Sequence, residues 1–162
     1  QWMRLQAEAY GPRMAEAVLI EGAASFLLAC RDRAVEVFIV SHKTPYAAAA
    51  PDGTHLHGAA LEWMEARGFF APDGFALARD RVFFEPTREA KCRRIAALGC
   101  SHFIDDLEEV FRDPAFPEGV GRLLLCGTEF PLPMRGTEFP LPKGPFSPHS
   151  GWASVARAVF AE

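Results

Sequence analysis

Apolar and polar residues follow two different periods along this chain. Within residues 22–33 the apolar side chains recur at helical spacing. The segment 35–40 that follows is a run of β-branched and aromatic residues with the length of a buried strand. Residues 56–67 return to the helical pattern, and Gly68 directly after them indicates the end of a helix. The first half is therefore predicted to contain a helix, a strand and a second helix.

The second half continues this alternation of strands and helices. The predicted strands are 81–84, 102–104 and 121–126, and the predicted helices are 86–98, 107–111 and 152–160. Strands separated by helices pair in parallel, because each connection must cross back over the sheet. The pattern predicts an α/β fold with a three-layer, Rossmann-like parallel sheet and helices on both faces.

Length and charge limit the classes of function. With 162 residues the chain has the size of one domain, which needs no disulfide or metal to build a core. Its formal net charge of −4 argues against nucleic acid as the main partner. No apolar run approaches the roughly 20 residues of a membrane span, so no membrane association is predicted. The chain begins with Gln1 and Trp2 rather than Met, and we expect further residues upstream.

The four cysteines carry no metal-site spacing. Cys30, Cys92, Cys100 and Cys126 form no C-x-x-C pair, and each lies in or beside an apolar segment. Reduced thiols packed as small hydrophobic side chains are the simplest interpretation. This use of cysteine predicts a cytoplasmic protein.

One short sequence is repeated within a long predicted loop. The heptapeptide GTEFPLP occupies residues 127–133 and recurs at 136–142, inside a Pro-rich loop predicted over 127–150. A local duplication in a surface loop explains the repeat. The alternative is a proline-stiffened rim over a binding crevice, since loops that follow parallel strands face such crevices.

Several chemically active side chains come directly after predicted strands. Ser41 follows one strand, Asp105 and Asp106 follow another, and Lys91 lies near the start of a helix. Because parallel strands end at one edge of a sheet, we expect these side chains to converge. Two adjacent carboxylates favour a hard divalent cation, while a hydroxyl and an ammonium suit phosphate oxygens. The set predicts a magnesium-dependent phosphoryl site.

Each of these residues also has a simpler explanation. The pair Asp105 and Asp106 is typical of a helix N-cap, Lys91 of a solvated helix surface, and Ser41 of an ordinary loop. His42 beside Ser41 either assists substrate binding or belongs to a polar loop.

Three segments resemble motifs of the haloacid dehalogenase-like hydrolase superfamily, in the order in which that superfamily has them. Residues 37–43 (VFIVSHK) resemble its second motif, 87–91 (TREAK) its third, and 103–110 (FIDDLEEV) its fourth. With the helix before Ser41, the resemblance covers about residues 20–126.

This resemblance implies a role for each matching residue. Ser41 and Lys91 would be catalytic, with Ser41, His42 and Lys91 binding the phosphoryl group. Asp105 and Asp106 would bind Mg²⁺ directly or through water. The implied activity is a magnesium-dependent, phosphatase-type hydrolysis of a small phosphorylated metabolite, by phosphoryl transfer to an aspartate and then to water.

The first motif of the superfamily, Asp-x-Asp after a central strand, has no counterpart in this chain. The upstream run 18–21 (VLIE) ends in an acidic residue, but position 23 is Ala, and 51–54 (PDGT) is predicted to be a turn. We therefore expect a single haloacid dehalogenase-like domain over 1–162 that lacks its N-terminal strand, and an enzyme only if the nucleophile precedes Gln1. The alternative is a catalytically inactive domain that binds a ligand or a protein.

Overall fold

The computed structural model describes residues 13–46, 55–126 and 143–161. These residues form a mixed α/β fold with five helices, two small parallel sheets and no closed barrel. The helices are α1 (Ala23–Asp32), α2 (Leu56–Ala66), α3 (Arg88–Leu98), α4 (Glu108–Phe111) and α5 (Trp152–Val159). The strands are β1 (Ile39–His42), β2 (Val82–Glu85), β3 (His102–Asp105), β4 (Gly121–Leu125) and β5 (Ser147–His149), and short 3-10 turns span Met14–Glu16 and Arg79–Arg81.

The predicted alternation of helices with parallel strands is confirmed. Every pair of neighbouring strands in the described residues is parallel. The strands pair in two sheets, β1–β2 and β3–β4–β5, where the sequence predicts one three-layer sheet.

The predicted strand over 35–40 begins too early. Ladder pairing starts only at Ile39, which lies opposite Val82. The reason is the end of α1, where Ala34 has a left-handed φ of 53° and the Val35 N–H donates to the Cys30 carbonyl at 2.9 Å. These bonds close the helix and use the residues that the sequence pattern assigns to the strand. As a consequence Ser41 lies within β1 rather than after it.

The chain divides into two compact units. The first comprises Gln1–Ile20 and Leu27–Thr87, and the second comprises Glu21–Phe26 and Arg88–Glu162. Helix α1 therefore contributes its first residues to the second unit and the remainder to the first.

The first unit is built on the parallel pair β1–β2, with α2 between these strands in sequence. Helix α2 buries Leu56, Ala60 and Met64, which recur every four residues on one face. Its N-cap is His55, whose Nδ1 accepts the Gly58 N–H at 2.9 Å. The core cluster of this unit combines Met64, Phe69 and Leu77, and the partly buried side chains packed against it are Leu19, Leu27, Val37, Ile39, Trp63, Phe70, Phe75 and Val82.

The second unit is built on the sheet β3–β4–β5. Ile95 of α3, Phe111 of α4 and Val155 of α5 are fully buried in it. Gly22 precedes α1 with a φ of +84°, and a Cβ there would lie 3.0 Å from the Cβ of Trp152. This glycine therefore allows both a left-handed turn and a close approach to α5.

The Pro-rich loop predicted over 127–150 is interrupted by a strand. Residues Ser147–His149 form β5, with Leu124 opposite Pro148. Both copies of the GTEFPLP repeat, and the turn predicted at 51–54, lie outside the described residues. Among the described helices, none combines the length and the hydropathy of a membrane span.

Candidate functional site

A buried ion pair joins α3 to the end of β3. Helix α3 buries Lys91 and Ile95, which lie four residues apart on one face, so the lysine points into the second unit. Its ammonium contacts the Asp105 carboxylate through Oδ2. Lys91 is 7% exposed and Asp105 is 9% exposed, which leaves little of either group to solvent. The structure thus brings together two of the residues that the sequence nominates.

Both carboxylate oxygens of Asp105 are engaged. Oδ2 meets Lys91, and Oδ1 accepts the Leu107 N–H at 3.0 Å. That second bond spans two residues and forms an Asx turn. The N-cap of α4 is Leu107 itself, with no side-chain cap, so the alternative of an Asp N-cap for this helix is wrong. Asp106 is exposed, and its carboxylate is open to a ligand.

An aromatic ring completes the surroundings of the lysine. The Nζ of Lys91 lies 5.3 Å from the ring centroid of Phe103, within the range of a cation–π contact. Phe103 is not among the residues that the sequence patterns nominate for the site. The alternation of side chains along β3 could have identified it, because residues two apart, such as Phe103 and Asp105, lie on the same face of a strand.

Burial dominates the electrostatics of Asp105. Removal from water raises the pKa of its carboxyl above the usual value of 3.8. The Lys91 ammonium, by its charge and its hydrogen bond, and the Leu107 N–H lower that pKa, while the charge of Asp106 raises it. The net effect is a raised pKa for Asp105, as expected when a carboxylate is almost fully excluded from water.

Cys92 lies beside Lys91 in sequence but has no reactive character. It is fully buried, and its Sγ lies 3.8 Å from the Val110 carbonyl oxygen. Burial raises the pKa of its thiol, which disfavours the nucleophilic thiolate. All four cysteines are free thiols, as the sequence predicts.

Ser41 and His42 belong to the first unit. Ser41 is half-buried in β1 opposite Phe84, and none of the described residues provides a hydrogen-bond partner for its hydroxyl. His42 ends the strand opposite Glu85, and its Nε2 lies 3.2 Å from the Pro86 carbonyl oxygen.

The acidic pair alone is an incomplete metal site. Across residues 13–46, 55–126 and 143–161, no group of three or more His, Cys, Asp or Glu side chains is arranged to share an ion. Magnesium usually takes one or two protein carboxylates and fills its remaining positions with water and phosphate oxygens. The exposed Asp106 offers one such carboxylate. Asp105 would have to contact Lys91 and the ion at the same time. A magnesium site here would need phosphate and water to complete the coordination of the ion.

Comparisons with family models, with curated proteins and with solved structures returned no match to this chain.

Proposed function

We propose that this chain is the phosphate- and magnesium-binding part of a phosphatase-type hydrolase of the haloacid dehalogenase-like superfamily, acting on a small phosphorylated metabolite. The observation that supports this proposal is the buried pair of Lys91 and Asp105 with Asp106 exposed beside it. A lysine beside carboxylates that can hold Mg²⁺ is a combination that phosphoryl-transfer sites use to neutralise phosphate charge.

The two aspartates have different tasks in this proposal. Asp105 holds the Lys91 ammonium in one position, and the ion pair uses one of the three donors of that group. The other donors have no acceptor among the described residues, but little of the ammonium is exposed, so in this proposal a phosphoryl group must reach it at the end of β3. Asp106 and, in part, Asp105 would hold Mg²⁺, which supplies neutralisation of the phosphoryl charge.

The phosphate-binding roles of Ser41 and His42 rest on the resemblance alone. Ser41 is half-buried, and its hydroxyl has no hydrogen-bond partner among the described residues, so it can donate to a phosphoryl oxygen.

The three-layer parallel sheet also belongs to the proposal. In the described residues β1 pairs only with β2, and β3 pairs only with β4. Each of these strands therefore has an edge at which another strand can add. A strand carrying an Asp-x-Asp motif is what the superfamily resemblance would supply.

A catalytically inactive binding module is the second candidate. The sequence contains no Asp-x-Asp motif, and both oxygens of Asp105 are already engaged. These two observations favour a domain that binds a phosphorylated ligand without transferring its phosphoryl group.

Phosphate binding and turnover by this chain test the proposal. We expect inorganic phosphate to bind in a Mg²⁺-dependent manner, measured by titration calorimetry, and p-nitrophenyl phosphate to remain intact because the aspartyl nucleophile is missing. Asp106→Asn should remove the magnesium dependence. The matched control is Asp80→Asn, which neutralises an exposed carboxylate of the 3-10 turn Arg79–Arg81.

Two outcomes would contradict the proposal in different ways. Hydrolysis of p-nitrophenyl phosphate by this chain would refute the assignment of the nucleophile to a missing aspartate. Failure of phosphate to bind with or without Mg²⁺ would refute the phosphoryl site itself.

A further inference from the structure

The first unit contains a cavity that involves none of the residues of the proposed phosphoryl site. Its volume is about 280 Å³, slightly below the ~300–1,000 Å³ typical of small-molecule sites. Its wall is mixed, with apolar side chains and three charged ones. The lining residues are Leu27, Arg31, Ala34, Val35, Glu36, Val37, Phe69, Phe75, Ala76, Leu77 and Arg81.

Two alanines in left-handed backbone conformation line this cavity. Ala34 has a φ of 53° and Ala76 a φ of 54°, and they are the only non-glycine residues with positive φ in the described part of the chain. Such a conformation costs an L-residue stability, and glycine would avoid most of that cost. Two strained positions in one cavity indicate that the surrounding structure holds the cavity walls in this conformation.

Arg31 fixes the opposite walls of the cavity against each other. Its Nη1 donates to the Gly74 carbonyl at 2.5 Å and lies 3.3 Å from the Asp73 carbonyl. Its Nε and Nη2 donate to the Asp32 carboxylate. These bonds tie the end of α1 to the loop that carries Phe75 and Ala76, so the cavity walls are held in place before any ligand arrives.

Arg81 leaves part of its guanidinium available. Nη2 donates to the Glu36 carboxylate at 2.7 Å, and the group lies 5.5 Å from the ring centroid of Phe38. Within the described residues, Nε and Nη1 of Arg81 donate to no acceptor. A cationic group with unused donors thus borders a cavity whose wall also carries apolar side chains.

We propose that this cavity binds a small monocarboxylate with an apolar body. The aliphatic or aromatic body would replace water against Leu27, Val37 and Leu77. The carboxylate would accept hydrogen bonds from Arg81, and charge-assisted bonds of this kind are about twice as strong as neutral ones. The cavity volume restricts the ligand to a molecule of small-metabolite size.

Hexanoate is the probe, with hexan-1-ol and acetate as partial analogues. We expect hexanoate to bind the full chain with a Kd of about 1 mM or tighter, followed by NMR chemical-shift changes at the cavity residues. Arg81→Gln should weaken hexanoate binding about tenfold or more, because it removes a charged hydrogen-bond donor. Arg79→Gln is the matched control, since it removes one arginine from the same 3-10 turn but not from the cavity.

A second variant does not depend on the stability of Arg81→Gln. Val35 is 39% exposed at the cavity, so Val35→Trp can narrow the space from the surface, and it should also abolish hexanoate binding. Equal binding of hexanoate and hexan-1-ol, or equal binding to the Arg81→Gln and Arg79→Gln variants, would overturn the assignment of the carboxylate to Arg81. No binding of hexanoate at about 10 mM would overturn the proposal as a whole.

Discussion

Lys91 and Asp105 form an ion pair that is almost fully withdrawn from solvent. They are 14 residues apart in sequence, so the contact forms only when α3 packs against β3. Removing two charges from water is costly, and the attraction between them together with hydrogen bonds must compensate. The Leu107 N–H and the ring of Phe103 supply such additional contacts. The second unit therefore depends on both charges being present together.

Removing one charge of this pair should destabilise the protein strongly. In Lys91→Met the free energy of unfolding should fall by about 3–5 kcal/mol, because the Asp105 carboxylate remains buried without a cation. The double variant Lys91→Met/Asp105→Leu should recover most of that loss, since it leaves no buried charge. Urea denaturation of the wild type, the two single variants and the double variant measures the coupling between the residues.

The control for this prediction lies on the same helix. Arg93 and Glu89 form an ion pair whose side chains are 72% and 58% exposed, and Arg93→Met should change the free energy of unfolding by no more than about 0.5 kcal/mol. If Lys91→Met cost no more than Arg93→Met, the buried pair would have no structural role.

Local sequence patterns predicted the order of most helices and strands. The elements that they missed, or placed wrongly, depend on proline-containing or left-handed backbone that those patterns do not describe. The helices over α1, α2 and α3 were predicted within two residues at each end, since apolar spacing marks α1 and α2 and a glycine follows α2 and α3. Strand β5 was missed because Ser147–His149 contains a proline and lacks apolar alternation. The late start of β1 followed from the left-handed Ala34, which no propensity predicts.

The sequence predicted which residues belong to the candidate site, but not how their side chains are arranged. The sequence could nominate Lys91, Asp105 and Asp106 because they follow strands or begin a helix. It could not indicate that Asp105 is buried on Lys91 while Asp106 is exposed, because that difference depends on how α3 packs against β3.

Replacing a left-handed alanine by glycine should stabilise the protein. Ala34→Gly should raise the free energy of unfolding by up to about 1 kcal/mol, since relief of the backbone conformation outweighs the added flexibility of the unfolded chain. Ala96→Gly on the exposed part of α3 is the control and should lower it by about 0.5–1 kcal/mol. Thermal and urea denaturation measure both, and a loss of stability in Ala34→Gly would contradict the strain assigned to that position.

His149 should make the stability of the protein depend on pH. Burial lowers the pKa of its imidazole below 6.5, and the charge of Arg157 adds to this effect, while the bond with Ser154 opposes it. Its Nδ1 lies 3.1 Å from the Ser154 hydroxyl, and its buried Nε2 has no partner in the described residues.

The sign of this dependence follows from the lowered pKa. The unfolded chain binds a proton at His149 before the folded chain does, so the free energy of unfolding should fall as the pH drops below about 6.5 toward the folded pKa. His149→Gln should reduce that slope in urea denaturation between about pH 7.5 and about pH 5.5. An imidazole titration by NMR with a midpoint above 6.5 would contradict this prediction.

Metal binding should depend on phosphate. Asp105 is occupied by Lys91 and Leu107, so Asp106 alone offers an open carboxylate in this turn. One open carboxylate binds a hard divalent ion weakly unless phosphate oxygens and water complete its coordination. We therefore expect Mn²⁺, used as a paramagnetic substitute for Mg²⁺, to broaden the amide resonances of Asp106 and Leu107 much more strongly with inorganic phosphate present than without it. Asp106→Asn should remove this broadening and Asp80→Asn should keep it, whereas equal broadening in both variants would show that Mn²⁺ binds elsewhere.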